Sequence, residues 1–556
     1  MRFGSVDTFF EPTEWRFRMG RPIANEGFLR ALLTYGGWDA YHFFCPDTAH
    51  VRGFGERVVE LLRDEKLVAR VFASPQAHLT SALEQHDFTV FHQGDFTYFL
   101  PWLAPLRTAR ARRPFPITGV THSLDGAAMQ LRFLQLALAG LLPFDAVVCT
   151  SAAAARLVEA KLAEVAALVE ETTGARLSTP ARTALIPLGI DDELFVDPDP
   201  GARAAARAEA RRYLHVPDDV TVALSVGRLS LRTKADWAPV LEELARMAAR
   251  GELSRFLLLV AGGGQDEAAK LVQSLIDRLG LGAHVLLFPN FPAEAKPRLY
   301  QAADLYVSLV DNYQETLGLS VLEAAASALP ILAADFDGYR DSVGDGDNGF
   351  LVPTLASTEL PDFLAPTLGL LDPGVARFYL AQSVALDLDR FGERLRALVG
   401  DAALRRRMGE RSRARAEGYR WRAVIARYEE LWVLLSAEAA VAPPPSTDAR
   451  AAAVRRTALL AGDGIRAFSH FPSRMLDPGM RVTATATARD KARFTRYEDL
   501  AAVQSSELEA ALLRHLARPR TVGELRQEGA RAFGATAGDV DFHLLWLAKH
   551  GAVRVE

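Results

Sequence analysis

Cysteine is almost absent from this chain: there are two in 556 residues, Cys45 and Cys149, each inside an apolar stretch. Two such thiols support neither a disulfide framework nor a zinc site, so both read as buried. Long apolar runs are missing too. The greasiest helical stretch, residues 133–144, falls short of the roughly 20 apolar residues that cross a bilayer. The first seven residues, Met1 to Asp7, have no apolar core of a secretory signal, and a cytoplasmic protein is expected. Neither sign of charge dominates. With 64 basic and 69 acidic residues the net charge is −5, too mild to suggest a nucleic-acid partner. What is present is an ordinary globular composition in a chain too long for one core, so two to four domains are expected.

Short apolar runs alternate with helical patterns twice over. In the first series the strand candidates are Arg2 to Val6, Tyr41 to Cys45, Leu67 to Phe72, Thr89 to Phe91, Ile117 to Thr121 and Ala146 to Thr150. In the second they are Val222 to Val226, Phe256 to Ala261, His284 to Phe288, Leu305 to Leu309, Ile331 to Ala334 and Gly349 to Val352. Such alternation predicts an α/β fold: two doubly wound, Rossmann-like domains in tandem, at 1–200 and 201–400, with ligand at the strand C-termini. Residues 401–436 turn helical and basic and are expected to return toward the first domain. Three consecutive prolines mark 437–450 as a linker. In 451–556, three helical patterns, a capping box at Thr521 and Glu524, and a last strand resemble a winged helix; the segment 451–490 stays unassigned.

The run Glu315 to Glu323 carries most chemistry. Two carboxylates stand eight residues apart with Gly318 between them at a helix start, after an apolar run ending at Leu309. Glu315 then lies beside the helix N-terminus and Glu323 about 12 Å along the helix, at 1.5 Å per residue. Leu317, Leu319, Val321 and Leu322 make the surrounding helix apolar. An unpaired carboxylate there is costly, which favours a hydroxyl-binding role over a solvated face. Arg228 and Lys234 follow the apolar run that ends in Val226 and Gly227. Carboxylates for hydroxyls, a helix start for phosphate and two cations suit a sugar carried on a nucleoside diphosphate. A charge-assisted hydrogen bond is worth roughly 1.5–3 kcal/mol and a helix terminus roughly 0.3–1 kcal/mol, so the cations should dominate. Gly262 to Gly264 follow a strand but lack the acidic residue of a dinucleotide fingerprint, so a tight turn lining the nucleotide, with Gly263, is expected. Asp345 and Asp347 flank a glycine in a polar turn; no essential metal is expected there.

The ordered set of Ile186 to Asp191 with Phe195, Val226 to Ser230 with Lys234, Ala261 to Gly264, Pro289 to Phe291, Ala303 to Leu305, the paired glutamates, Asn348 to Val352, and Trp421 with Tyr428 resembles retaining glycosyltransferases of the GT-B fold, of the family-4 (group 1) type. The resemblance covers roughly residues 1–436. It implies transfer of a sugar, a hexose by expectation, from a nucleotide sugar to an acceptor with retention, and no cofactor. It also implies that Glu315 contacts a donor-sugar hydroxyl, Glu323 the ribose, His122 the sugar near its 6-position, and Gly20 the donor phosphate. Tyr313, Gln314, Thr316, Leu317 and Leu319 would add donor contacts. Lys234 stands six residues after Arg228, where many relatives have five, and Arg232 is the fallback. The acceptor stays open among polysaccharide, lipid, natural product and peptide. A GT-B phosphorylase and a non-catalytic nucleotide-sugar-binding scaffold are the alternatives. The arginines between Arg107 and Arg113 read as a solvated helix end, with attachment to the inner face of a membrane as the alternative. For the C-terminal module, a protein or peptide partner is expected rather than DNA.

Overall fold

Aliphatic runs flanked by turns build two parallel sheets in a computed structural model that describes residues 1–10, 20–177, 181–196, 199–264, 266–461, 467–489 and 494–556. The first sheet contains β1 (Arg2–Ser5), β2 (Ala40–Cys45), β3 (Val71–Pro75), β4 (Val90–Gln93), β5 (Ile117–Val120), β6 (Ala146–Cys149) and β7 (Arg182–Leu185). The second contains β8 (Thr221–Val226), β9 (Phe256–Gly262), β10 (Val285–Pro289), β11 (Leu305–Ser308), β12 (Ile331–Ala334) and β13 (Gly349–Val352). Their orders are β3-β2-β1-β4-β5-β6-β7 and β10-β9-β8-β11-β12-β13. Every β4, β5, β6, β11 and β12 residue is buried. Helices on both faces explain why these strands read as unbroken apolar runs. Each sheet reverses its winding between a central pair, β1 with β4 and β8 with β11, and there a crevice opens.

The chain crosses back after the second domain. The helix Ala402–Ala416 packs on the second domain, and the helix Trp421–Val441 joins the core of the first. Trp432 is fully buried there, and its indole N–H donates to Thr118 Oγ1 at 3.0 Å. The junction motif explains itself at this crossing. The Ile190 amide donates to the Tyr419 carbonyl at 2.8 Å, and Trp421 Nε1 donates to Asp191 Oδ1 at 3.1 Å. The Arg420 guanidinium lies 3.5 Å from the centre of the Phe195 ring.

Several expectations need correction. Leu67 is not in a strand: Asp64 caps a short helix, Glu65–Val68, and the strand pairing with β2 begins only at Val71. Strand β7 was not foreseen, because its edge position leaves it mostly half-buried and without an apolar run. The linker is shorter than 437–450: one helix runs to Val441 and the next spans Thr447–Ala461, packing on the first-domain helix Phe96–Arg110. Arg107 does not belong to a solvated run. It is buried, donates from Nη2 to Asp145 Oδ2 at 2.9 Å and from Nη1 to the Phe115 carbonyl at 2.8 Å. Among the described residues no helix is long and apolar enough to cross a membrane.

The C-terminal module has its own core around Leu508, Leu512, Val540, Leu544 and Trp546. Helices Ser506–His515, Val522–Phe533 and Ala537–Lys549 pack against a three-stranded antiparallel sheet of Arg481–Ala484, Arg520–Thr521 and Val553–Val555. Thr521 and Glu524 form the expected capping box, and Thr536 with Asp539 form a second. Of the unassigned stretch 451–490, residues 462–466 and 490 lie outside the described ones.

Because Trp432 fills the core of the first domain from a helix that follows the second, Trp432→Ala should lower stability by about 3–5 kcal/mol. Chemical denaturation followed by intrinsic fluorescence would check this.

Candidate active site

The strand C-termini of both sheets face one cavity of about 560 Å3, inside the roughly 300–1,000 Å3 typical of small-molecule sites. Two loops meet there because β8 and β11 are neighbours. One runs from Gly227 and Arg228 through a turn to Lys234; the other runs from Asp311 to Gly318. Gly318 has φ 84° and caps the helix Leu319–Ala326. A Cβ at that position would lie 2.2 Å from the ring of buried Tyr339, so only glycine permits this helix start. The Tyr339 hydroxyl is held in turn by Ser308 Oγ at 2.7 Å.

Glu315 pairs with the Lys234 ammonium, and its Oε1 accepts from the Thr316 amide at 3.3 Å. Burial alone would raise the Glu315 carboxyl, but Lys234 and the Thr316 and Leu317 amides outweigh it and hold the group below its ordinary value. It is therefore an acceptor-only carboxylate beside a helix N-terminus. Arg228 Nη2 donates to Gln314 Oε1 at 3.1 Å. Burial pulls the Arg228 guanidinium down, and Glu315 opposes that pull. Glu323 is buried on the apolar helix, as its neighbours implied, and it is not alone. Tyr300 donates its hydroxyl to Oε2 at 2.7 Å, and the Lys296 ammonium pairs with Oε1. Lys296 and Tyr300 were not singled out from sequence. Their spacing of four on the short helix Lys296–Ala302 was the available signal, since it puts both on one face.

Gly227, Gly263, Gln314, Thr316, Leu317, Gly318 and Leu319 all line this cavity. Tyr313 is different. It is 40% exposed and turns edge-on to the Phe336 ring at 5.5 Å, outside the lining. In an extended segment the residue two before Glu315 points the same way as Glu315, but the turn ahead of the helix breaks that alternation. Asp345 and Asp347 lie away from the cavity and pair with Arg394 and Arg411.

The first domain supplies the opposite wall. Gly20, at φ 70°, begins the helix Arg21–Tyr35 and lines the cavity. His122 follows β5; its Nε2 lies 2.8 Å from the Gly94 carbonyl, which can only accept, so Nε2 carries the proton. Asp125, on the same segment, pairs across the cleft with Arg377. Arg21 and Arg132 approach the Tyr98 ring from 5.6 and 5.4 Å. Lining side chains include six basic groups (Arg21, Arg132, Arg228, Lys234, Lys296, Arg377) and four carboxylates, so the cavity favours an anion.

Buried polar groups tie the two second-domain loops together beneath the site. Asn312 Nδ2 donates to the Arg232 carbonyl at 3.1 Å, and its Oδ1 accepts from the Gln314 amide at 3.1 Å. Asp311 Oδ2 accepts from the Asp236 amide at 3.3 Å, while Oδ1 is buried without a hydrogen-bond partner among the described residues. Burial pushes the Asp311 carboxyl up to about 7.

Two facing doubly wound domains with an anion-favouring cavity at their strand ends define the GT-B architecture. Within it, residues 206–362 match the family model for glycosyl transferases group 1. That segment carries Arg228, Lys234, Glu315 and Glu323. The chain is similar to D-inositol 3-phosphate glycosyltransferases: 35% identical over 178 residues to that of Geodermatophilus obscurus, covering 31% of this chain and 37% of that protein. For that of Nocardia farcinica the match is 32% over 244 residues, covering 43% and 45%. The chain thus spans less than half the length of these curated relatives. In fold it is similar to Anabaena HepE, solved in complex with UDP, with a TM-score of 0.51 at 16% identity over 79% of this chain and 100% of that one.

Asp311 generates a pH dependence. Its folded-state value, about 7, lies above the ordinary 3.8. The folded protein therefore binds the proton more tightly than the unfolded chain, and stability falls as pH rises from about 4 to about 7, by at most about 1.4 kcal/mol per unit. Asp311→Asn should flatten that decline and be the more stable protein at pH 8, as read by thermal unfolding between pH 4 and 8.

Proposed function

We propose that the protein transfers a sugar, a hexose, from a nucleoside-diphosphate donor to an acceptor nucleophile, with retention at the anomeric carbon. The observation carrying this reading is the meeting of Arg228, Lys234, the Gly318 helix start, Glu315 and Glu323 around one cavity. Arg228, Lys234 and the helix start bind the diphosphate and stabilise charge that develops on the leaving oxygen. Glu315 accepts from sugar hydroxyls, and Glu323, steadied by Lys296 and Tyr300, accepts from the ribose. His122 faces the sugar from the first domain. No covalent role falls to either glutamate, and the reading includes no metal, because fixed cations neutralise the diphosphate. A cytoplasmic location belongs to the same reading.

The acceptor enters from the first-domain wall. Arg21 and Arg132, set about Tyr98, support an acceptor with an anionic group, and the relatives are named for an inositol phosphate. The C-terminal module, read as a winged-helix-like element, serves to bind a protein or peptide.

Arg228→Ala and Lys234→Ala should each reduce turnover about 10- to 100-fold, the equivalent of about 1.5–3 kcal/mol. A thermal-shift screen against UDP-, GDP-, ADP- and TDP-sugars identifies the donor first. Saturating ligand at 100 times its Kd should add about 2.7 kcal/mol of stability. Near-normal turnover in both variants would refute the leaving-group assignment. Steady hydrolysis of the donor without acceptor would exclude a purely sensory scaffold.

A further inference from the structure

Between β13 and the helix Leu388–Gly400 the chain leaves the second domain on an antiparallel pair, Thr354–Ala356 with Val384–Leu386. The excursion carries a short 3-10 turn, Ala365–Leu370, and a helix, Pro373–Ala381, capped by Asp372. It touches three things. Residues 365–370 pack on the first-domain helix Ala127–Leu138. Gln382 Nε2 donates to Asp236 Oδ2 at 3.2 Å, and the backbone at Gly374 sits against the Arg232 stem, with a Cβ there only 3.4 Å from Arg232 Cδ. Both contacts fall on the loop that carries Arg228 and Lys234. The third contact is an ion pair across the cleft. Arg377 Nε and Nη2 both donate to the Asp125 carboxylate, the latter at 3.4 Å, and both residues line the donor cavity.

We propose that Arg377 is a positioning residue of the donor site, clasping Asp125 so that the first domain closes squarely on Arg228 and Lys234 and the Asp125 carboxylate does not repel the diphosphate. The inference rests on the donor reading above and goes beyond it in giving the excursion a function. Two physical reasons carry it. The Asp125 side chain is only 6% exposed, so without Arg377 an uncompensated carboxylate would face the bound diphosphate. Arg377 and Asp125 also both act electrostatically on Arg228, so the clasp and the diphosphate cation share one local field. The excursion, anchored to the cation loop at one side and to the first domain at the other, ties donor affinity to the angle between domains.

The test is titration calorimetry of the full chain with UDP, ADP, GDP and TDP, followed by kinetics with the matching sugar donor. Arg377→Gln should weaken nucleoside-diphosphate binding about tenfold or more, the size of one charge-assisted contact, and raise the donor KM more than it lowers kcat. Arg377→Lys keeps the charge but loses the two-donor fork on Asp125, so its affinity should fall between those of wild type and Arg377→Gln. The decisive variant is the double, Arg377→Gln with Asp125→Asn. Removing the orphaned carboxylate should recover part of the lost affinity, which a purely structural defect would not do. A double variant as weak as the single one, or a single variant that binds like wild type, overturns the inference while leaving the donor reading intact. If wild type binds none of the four nucleotides, the donor reading falls and takes this inference with it.

Discussion

The adjacency of β8 and β11 is the constraint on which the site depends. At that point the second sheet reverses its winding, and the two strands release their loops in the same direction. The first loop carries two cations and the second carries a carboxylate and a helix start. Neither loop makes a site alone. Side by side, Lys234 meets Glu315, Arg228 meets Gln314, and Asn312 sews the two backbones together from below. The cavity-lining groups thus sit on short connections anchored by two neighbouring buried strands.

Two different solutions to buried charge stand close together. Glu315 is held by the Lys234 ammonium and two amides, which keep it below its ordinary value and so able to accept from hydroxyls, while Glu323 is partnered by the Lys296 ammonium and the Tyr300 phenol. Asp311 has one amide donor and one bare oxygen, and burial raises it instead. The first two point into the cavity; the third lies under the loops. Burial thus acts on both Glu315 and Asp311, and the partners each one has decide the direction of its shift.

The domains are joined more firmly than a simple hinge would require. The helix Trp421–Val441, which follows the second domain in sequence, completes the core of the first. The junction at Ile190, Asp191 and Phe195 is locked by Tyr419, Arg420 and Trp421. On the open side Asp125 and Arg377 bridge the cleft, and the Ala152 amide donates to Asp341 Oδ2 at 2.7 Å. The two domains are therefore bridged at the junction and again by these polar contacts. The back is held by packed aromatic surface and the front by charge.

Much of this was legible in the sequence because it is local. A strand buried on both faces shows as an apolar run, as at Leu305 to Leu309, and a glycine between two glutamates marks a helix start whatever surrounds it. Edge strand β7 lacked that signature, and the excursion at 354–386 has its apolar residues broken into short pieces by Pro361, Pro366 and Pro373. The motif residues Asp191 and Asp304 were recognised without their reasons. Asp304 turns out to hold Arg207 and Arg211, a fold-keeping role visible only once the helix Pro200–Tyr213 lies against it. Charge was the least readable property. Arg107 looked solvated among its neighbours and is buried on Asp145, because it lies on the inward face of the helix Phe96–Arg110. The sequence alone determined which residues could serve a diphosphate and a sugar. Tertiary structure decided what each carboxylate is paired with, that Tyr313 turns away, and that Arg377 reaches Asp125, since those depend on distances between segments far apart in the chain.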